Sequence, residues 1–274
     1  MTFAQKLRSV QQNNDSLLCI GLDTDPGKIP GVLSASGDPL YEFNRQIIEA
    51  TQDLVCAYKI NLAFYEAAGE RGWQTVHRTL ACIPRHMISI GDGKRGDIGN
   101  SSSYYAKLFL EDYGFSASTV NPYMGEDSVA PFLKNPEQGA FVLALTSNPG
   151  ARDFQYLRVR GKPLYEHVVA RAKKWNRQGN CGLVVGATRP KDLRRVRAIV
   201  PEMPILIPGV GAQGGDLRSS VRYGCAPDGT MAIINASRSI IYASAGGDFA
   251  AASRIAATRL RDEINTYRRA YFTH

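Results

Sequence analysis

Asp92-Gly93-Lys94-Arg95-Gly96-Asp97 puts two carboxylates and an ammonium into one short segment, directly after the apolar run Met87-Ile88-Ser89-Ile90. That run reads as a strand. Residues two apart in a strand project to the same face, so Asp92 and Lys94 are expected to look the same way from its end. A carboxylate beside an ammonium fixes the charge of both. The ammonium can then donate a proton or stabilise a developing negative charge. An ion pair that merely finishes a strand has the same spelling. The embedded Arg95-Gly96-Asp97 also spells an integrin-type motif, which reads as coincidence in a chain without a secretion signal.

A second chemical segment is Gly209-Val210-Gly211-Ala212-Gln213-Gly214. It matches the GxGxxG spelling of a dinucleotide fold, yet it follows a late strand rather than the first, and no strand ending in an acidic residue lies at the expected distance. Glycine N–H groups can instead approach phosphate oxygens closely. Arg238, after the next apolar run, could add a two-pronged contact to the same phosphate. Plain turn glycines remain the third reading.

Something must hold these groups together. Strand-length apolar runs occur at Leu17–Ile20, Leu54–Ile60, Met87–Ile90, Ala117–Val120, Ala140–Leu145, Gly182–Val185, Pro204–Ile207 and Met231–Ile234. Helix-like periodicity separates them at Tyr41–Ala50, Phe64–Leu80, Ser102–Glu111, Leu164–Trp175 and Leu217–Tyr223, and a long amphipathic helix is expected over Asp248–Tyr267. Alternating strands and helices imply a parallel sheet, and eight units imply an α/β fold of the (β/α)8 TIM-barrel type. No linker or composition shift divides residues 1–274, so one domain is expected. Polar residues gather where the runs end: Asp23, Lys59 and Asn61, Asp92 and Lys94, Asn121, Thr146 and Ser147, Thr188, the glycine-rich turn, and Ser237-Arg238. Barrel enzymes build their sites on that rim.

Composition narrows the class. The chain has 274 residues, is 44% apolar, and carries a net charge of +8. The basic excess is dispersed. Its densest stretch, Lys191-Asp192-Leu193-Arg194-Arg195-Val196-Arg197, has apolar residues at helical spacing and reads as a solvated helix face rather than a nucleic-acid site. A small anionic substrate suits such a surface. No run is long enough to span a membrane, and the first residues read as a short amphipathic helix, so a cytoplasmic location is expected. Cys19, Cys56, Cys82, Cys181 and Cys225 form no CxxC pair and read as reduced thiols. His77, His86, His167 and His274 lack metal-ligand spacing, so no metal is expected.

The DxKxxD segment, Asp92, Lys94 and Asp97 followed by Ile98-Gly99, resembles the signature of the orotidine 5′-phosphate decarboxylase family. Asp23, Lys59, Ser147 within Thr146-Ser147-Asn148-Pro149-Gly150, Pro208 to Asp216 with Gln213, and Ser237-Arg238-Ser239-Ile240 match further motifs of that family, in order across residues 17–241. The chain looks most like its longer bacterial subgroup. It departs at Ser101, where the family usually carries Thr, and between Gln213 and Arg238, which is longer than in short members.

The resemblance implies decarboxylation of orotidine 5′-phosphate to uridine 5′-phosphate without a cofactor, closing de novo pyrimidine nucleotide synthesis. It implies Lys94 as proton donor to C6, Asp92 beside the departing carboxylate, and Lys59 with Asp97 completing an array of alternating charge. Asp23 would bind the ribose, Ser147 would read the pyrimidine, and Gln213 and Arg238 would grip the phosphate. Ile98, Ser101 and Pro208 would complete the substrate contacts. A homodimer is implied, each copy lending Asp97 to the other's site. The rivals are a Mg²⁺-dependent barrel acting on keto-sugar phosphates, which Lys59, Ser147 and Gln213 argue against, and a catalytically silent nucleotide- or nucleic-acid-binding protein, which the intact Asp92-Lys94-Asp97 set argues against.

Overall fold

Apolar runs too short for a helix become strands when both of their faces can be buried. In the computed structural model, which describes residues 1–210 and 215–272, all eight runs do so. The strands are β1 (Leu18–Gly21), β2 (Ala57–Asn61), β3 (Ile88–Arg95), β4 (Ala117–Val120), β5 (Gly139–Leu145), β8 (Cys181–Val185), β9 (Ile205–Pro208) and β10 (Ala232–Ala236). β6 (Arg158–Val159) and β7 (Lys162–Pro163) form a separate antiparallel hairpin. The barrel closes in the order β1-β10-β9-β8-β5-β4-β3-β2, with every neighbouring pair parallel. The fold is the (β/α)8 barrel, and side chains fill its interior as parallel strands require.

The N-terminal end of the barrel is plugged. Helix Phe3–Asn13 starts in a capping box of Thr2 and Gln5 and buries Phe3, Leu7, Val10 and Gln11. Phe3 meets Phe141 of β5 edge-to-face at 5.8 Å. The Gln11 amide satisfies the barrel floor, donating to the Ala232 carbonyl at 2.7 Å and accepting from the Met231 N–H at 2.9 Å. The polar residues collect at the opposite end, which opens into a cavity.

Three expectations need correction. The helix expected over 64–80 is two helices, Leu62–Glu66 and Gly69–Cys82. They fold back on each other because Gly72 lies against the Tyr65 carbonyl, where a Cβ would approach to 1.7 Å. The helix expected over 102–111 is α-helical over Gly99–Ala106 and then widens to a π-helix over Lys107–Asp112. In helix Pro190–Ile199, Arg197 does not belong to a solvated face: it is half-buried and donates to the carbonyls of Val200 at 2.8 Å, Met203 at 2.7 Å and Gly224 at 3.1 Å. It ties two barrel units together. Leu193 and Val196 face the core as expected.

Among the described residues no helix is long and apolar enough to cross a membrane. All five cysteines are unpaired, and all but Cys82 are buried.

Candidate active site

Three neighbouring strand ends carry the charges. Asp23 lies two residues past β1, Lys59 lies in β2, and Asp92 and Lys94 lie in β3, with Gly21 paired to Lys59 and Asn61 to Asp92. The side chains meet in one alternating row. Lys59 Nζ is 3.1 Å from Asp23 Oδ1 and 3.0 Å from Asp92 Oδ2, and Lys94 Nζ is 2.7 Å from Asp92 Oδ1. Thr119 of β4 donates its hydroxyl to Asp92 Oδ1 at 2.8 Å and accepts the Lys94 N–H at 2.9 Å. Lys59 and Asp92 are almost wholly buried, whereas the Lys94 side chain is 43% exposed, free on the side facing the mouth.

Asp92 and Lys94 converge for a reason other than simple strand alternation. The pairing of β3 with β4 shifts register between Gly91 and Arg95, and Lys94 has φ of +45°. Bulges of this kind re-aim a side chain beside active sites, and a non-glycine residue held at positive φ stores strain. Thr119 supplies the hydrogen bond that holds the bend.

Burial is the largest single influence on both central charges. Alone it would lower Lys59 and raise Asp92. The neighbours override it. Asp92 and Asp23 hold the Lys59 ammonium charged above its usual range, and Lys59 and Lys94 hold Asp92 ionised below the usual carboxylate range. A lowered carboxylate contributes stability above its unfolded pKa of about 4 and loses it as pH falls through the folded value. A raised lysine contributes stability below its unfolded pKa of about 10.4 and loses it as pH rises through the folded value. Neither group titrates between those limits. Asp92→Asn, which leaves Lys59 buried beside Asp23 alone, should therefore cost about 3 kcal/mol. That gap should stay constant from about pH 5 to 9 and shrink below about pH 4, as read from urea midpoints across pH. A gap that opens or closes around neutrality would contradict this charge assignment.

The array floors a cavity of ≈ 210 Å³. Across it stand Pro208, Gly209 and Val210 from the end of β9, and Ser237 and Arg238 after β10. Arg238 is exposed, and it begins the short helix Arg238–Ile241 rather than ending the strand. The Gly209 carbonyl accepts the Gly215 N–H at 3.2 Å. The rest of the turn, with Gln213, lies outside the described residues, as does His274.

The remaining expected residues do not line this cavity. Asp97 makes no ion pair among the described residues; its Oδ1 accepts the Ile98 N–H at 2.8 Å. Ile98 is exposed at the start of helix Gly99–Ala106, and Ser101 is exposed in its first turn. Ser147 is half-buried on the adjoining rim.

Two asparagines in the lining are not among the residues expected from sequence to contact substrate. Asn61 caps the helix after β2. Asn235 of β10 is 6% exposed, and its Oδ1 has no hydrogen-bond partner among the described residues. A buried amide oxygen in that position is an acceptor available to a ligand. It sits inside an apolar strand, where periodicity gives it no signal.

A family model described as "Orotidine 5'-phosphate decarboxylase / HUMPS family" matches residues 16–255. The chain belongs to this family. A protein of Dehalococcoides mccartyi named orotidine 5'-phosphate decarboxylase is 49% identical over 275 residues, spanning 99% of this chain and 100% of its own. One of the same name from Cupriavidus taiwanensis is 49% identical over 271 residues, spanning 98% and 99%. The structure of Leishmania donovani OMP decarboxylase superposes with a TM-score of 0.85 at 38% identity, covering 98% of this chain and 99% of that one. The decarboxylase / HUMPS family match thus spans the whole barrel and both ends of the cavity.

Proposed function

We propose that this chain converts orotidine 5′-phosphate to uridine 5′-phosphate and CO2, in pyrimidine nucleotide synthesis, with Lys94 as the proton donor. The observation that carries the reading is the row Asp23–Lys59–Asp92–Lys94, which faces an arginine across one small cavity. The bond from C6 of the pyrimidine to its carboxyl carbon breaks, its electron pair stays on C6, and CO2 leaves. A proton passes from Lys94 Nζ to C6, and solvent restores the ammonium. Such a carbanion is a poor species in water, and the slowest reactions need barrier reductions on the order of 20 kcal/mol. Fixed charges supply this best when they need no rearrangement. Buried Lys59 and Thr119 hold Asp92 in place, and Asp92 holds Lys94. Asp92 beside the substrate carboxylate is repelled by it until CO2 departs, which favours the transition state over the ground state. Lys59, held between Asp23 and Asp92, favours this reading over the Mg²⁺-dependent alternative. The test is to mix purified protein, EDTA and orotidine 5′-phosphate and follow the ultraviolet change to the uridine nucleotide. An unchanged spectrum would overturn the reading.

Arg238 and the backbone after β9 would grip the phosphate. That grip is remote from C6, yet its binding energy can drive closure of the site. Arg238→Ala should lower kcat/KM for the nucleotide by about two orders of magnitude, the scale of one charge-assisted contact. It should leave the phosphate-free nucleoside nearly unaffected. Equal losses for both would place Arg238 outside the phosphate site.

Asp97 would complete the site of a second copy. It stands apart from its own chain's array, and its rim carries exposed Ile98, Tyr104, Tyr123 and Met124, at 60%, 66%, 87% and 40% exposure. An apolar rim around a carboxylate suits a two-fold, isologous homodimer.

A further inference from the structure

The turn carrying Ser147 is held by a residue far along the same loop. Gln155, the C-cap of the short helix Ala151–Phe154, turns its side-chain amide back to Thr146. Its Oε1 accepts the Thr146 N–H at 2.8 Å, and its Nε2 donates to Thr146 Oγ1 at 2.9 Å. That hydroxyl in turn donates to Asn148 Oδ1 at 2.5 Å. Gln155 therefore fixes Thr146, and Thr146 in turn holds Asn148 on the other side of Ser147. An amide suits both contacts, because one edge accepts from the N–H while the other donates to the hydroxyl.

The seat beneath is equally close. A Cβ on Gly186 would come within 2.9 Å of Ser147 N and 3.0 Å of Ser147 Cβ, so the serine backbone lies directly on this glycine. Gly186 is two residues past Val184, a cavity-lining residue. Gln155 is itself anchored. Its carbonyl accepts the Tyr165 N–H at 3.0 Å. The Tyr165 and Tyr156 hydroxyls both donate to Asp192, at 2.9 Å and 2.5 Å, on the helix of the next unit.

We infer that Gln155 is a positioning residue for base recognition: it acts through Ser147, and it sets the place from which that hydroxyl meets the pyrimidine. The inference rests on the proposed nucleotide reaction. A contact displaced by about 1 Å can cost up to roughly a hundredfold in rate. Gln155→Ala is therefore expected to lower kcat/KM for orotidine 5′-phosphate by about 10- to 100-fold. Its affinity for ribose 5-phosphate, which has no base to read, should stay within about twofold of wild type.

The deciding experiment is a double-mutant cycle with Ser147→Ala, which separates coupled residues from independent ones. If Gln155 works through Ser147, adding Gln155→Ala to Ser147→Ala should cost little more. Additive losses, or an equal loss of ribose 5-phosphate affinity, would overturn the inference. So would a Ser147→Ala variant as active as wild type. Should the alanine variant fail to fold, Gln155→Glu carries the same cycle: it is nearly isosteric but cannot donate to Thr146. A wild-type protein inert toward orotidine 5′-phosphate is a different outcome, since it removes the proposed reaction itself and the inference with it.

Discussion

Lys94→Ala should leave the barrel folded and remove nearly all turnover. Lys94 is the terminal cation of the charge row, 2.7 Å from Asp92, and the one lysine of the pair with an open side toward the mouth. Its loss takes away a general acid, typically worth about 10²–10⁴ in rate. It also removes a preorganised charge at the developing carbanion, worth about 10²–10³. kcat should then fall by at least about four orders of magnitude. The fold should survive, because Asp92 keeps Lys59 and Thr119 as partners. The check is single-turnover kinetics on protein whose circular dichroism and urea midpoint match wild type. A kcat within tenfold of wild type would take Lys94 out of the chemistry.

Mixing two dead variants should restore activity. Lys94→Ala and Asp97→Asn homodimers are each expected to be nearly inactive. If Asp97 serves the partner's site, a mixed dimer has one site lacking both groups and one site with both. With random pairing half of the dimers are mixed, and half of their sites are intact, so refolding an equal mixture should recover about one quarter of wild-type activity. A mixture that stays as inactive as its components, with subunit exchange verified, would put Asp97 to work within its own chain.

The barrel was legible because its strands are buried on both faces and so are mostly apolar. Ala117–Val120 and helix Leu164–Trp175 fall where pattern alone puts them. β3 runs past its apolar part to Arg95, because its last residues are polar and backbone pairing, not hydrophobicity, keeps them in the sheet. The hairpin of β6 and β7 gave no signal: Arg158, Val159 and Lys162 are exposed, so no buried face imprints a period on them. Of the candidate site, Asp23, Lys59, Asp92 and Lys94 could be read because each polar residue follows an apolar run at or near the C-terminal end of a strand. Asn235 could not be distinguished from a buried core polar residue. Thr119 could not either, since its task is a hydrogen bond to a strand 27 residues earlier in sequence. The left-handed backbone at Lys94 has no glycine to announce it.

In the proposed reaction a fixed row of protein charges decarboxylates a pyrimidine nucleotide. Purified protein in excess EDTA is given orotidine 5′-phosphate in D2O, and the product is followed by proton NMR. Uridine 5′-phosphate carrying deuterium at C6 is expected, formed at the same rate with and without chelator. No uridine nucleotide in EDTA, together with Mg²⁺-dependent turnover of a keto-sugar phosphate by the same preparation, would contradict it.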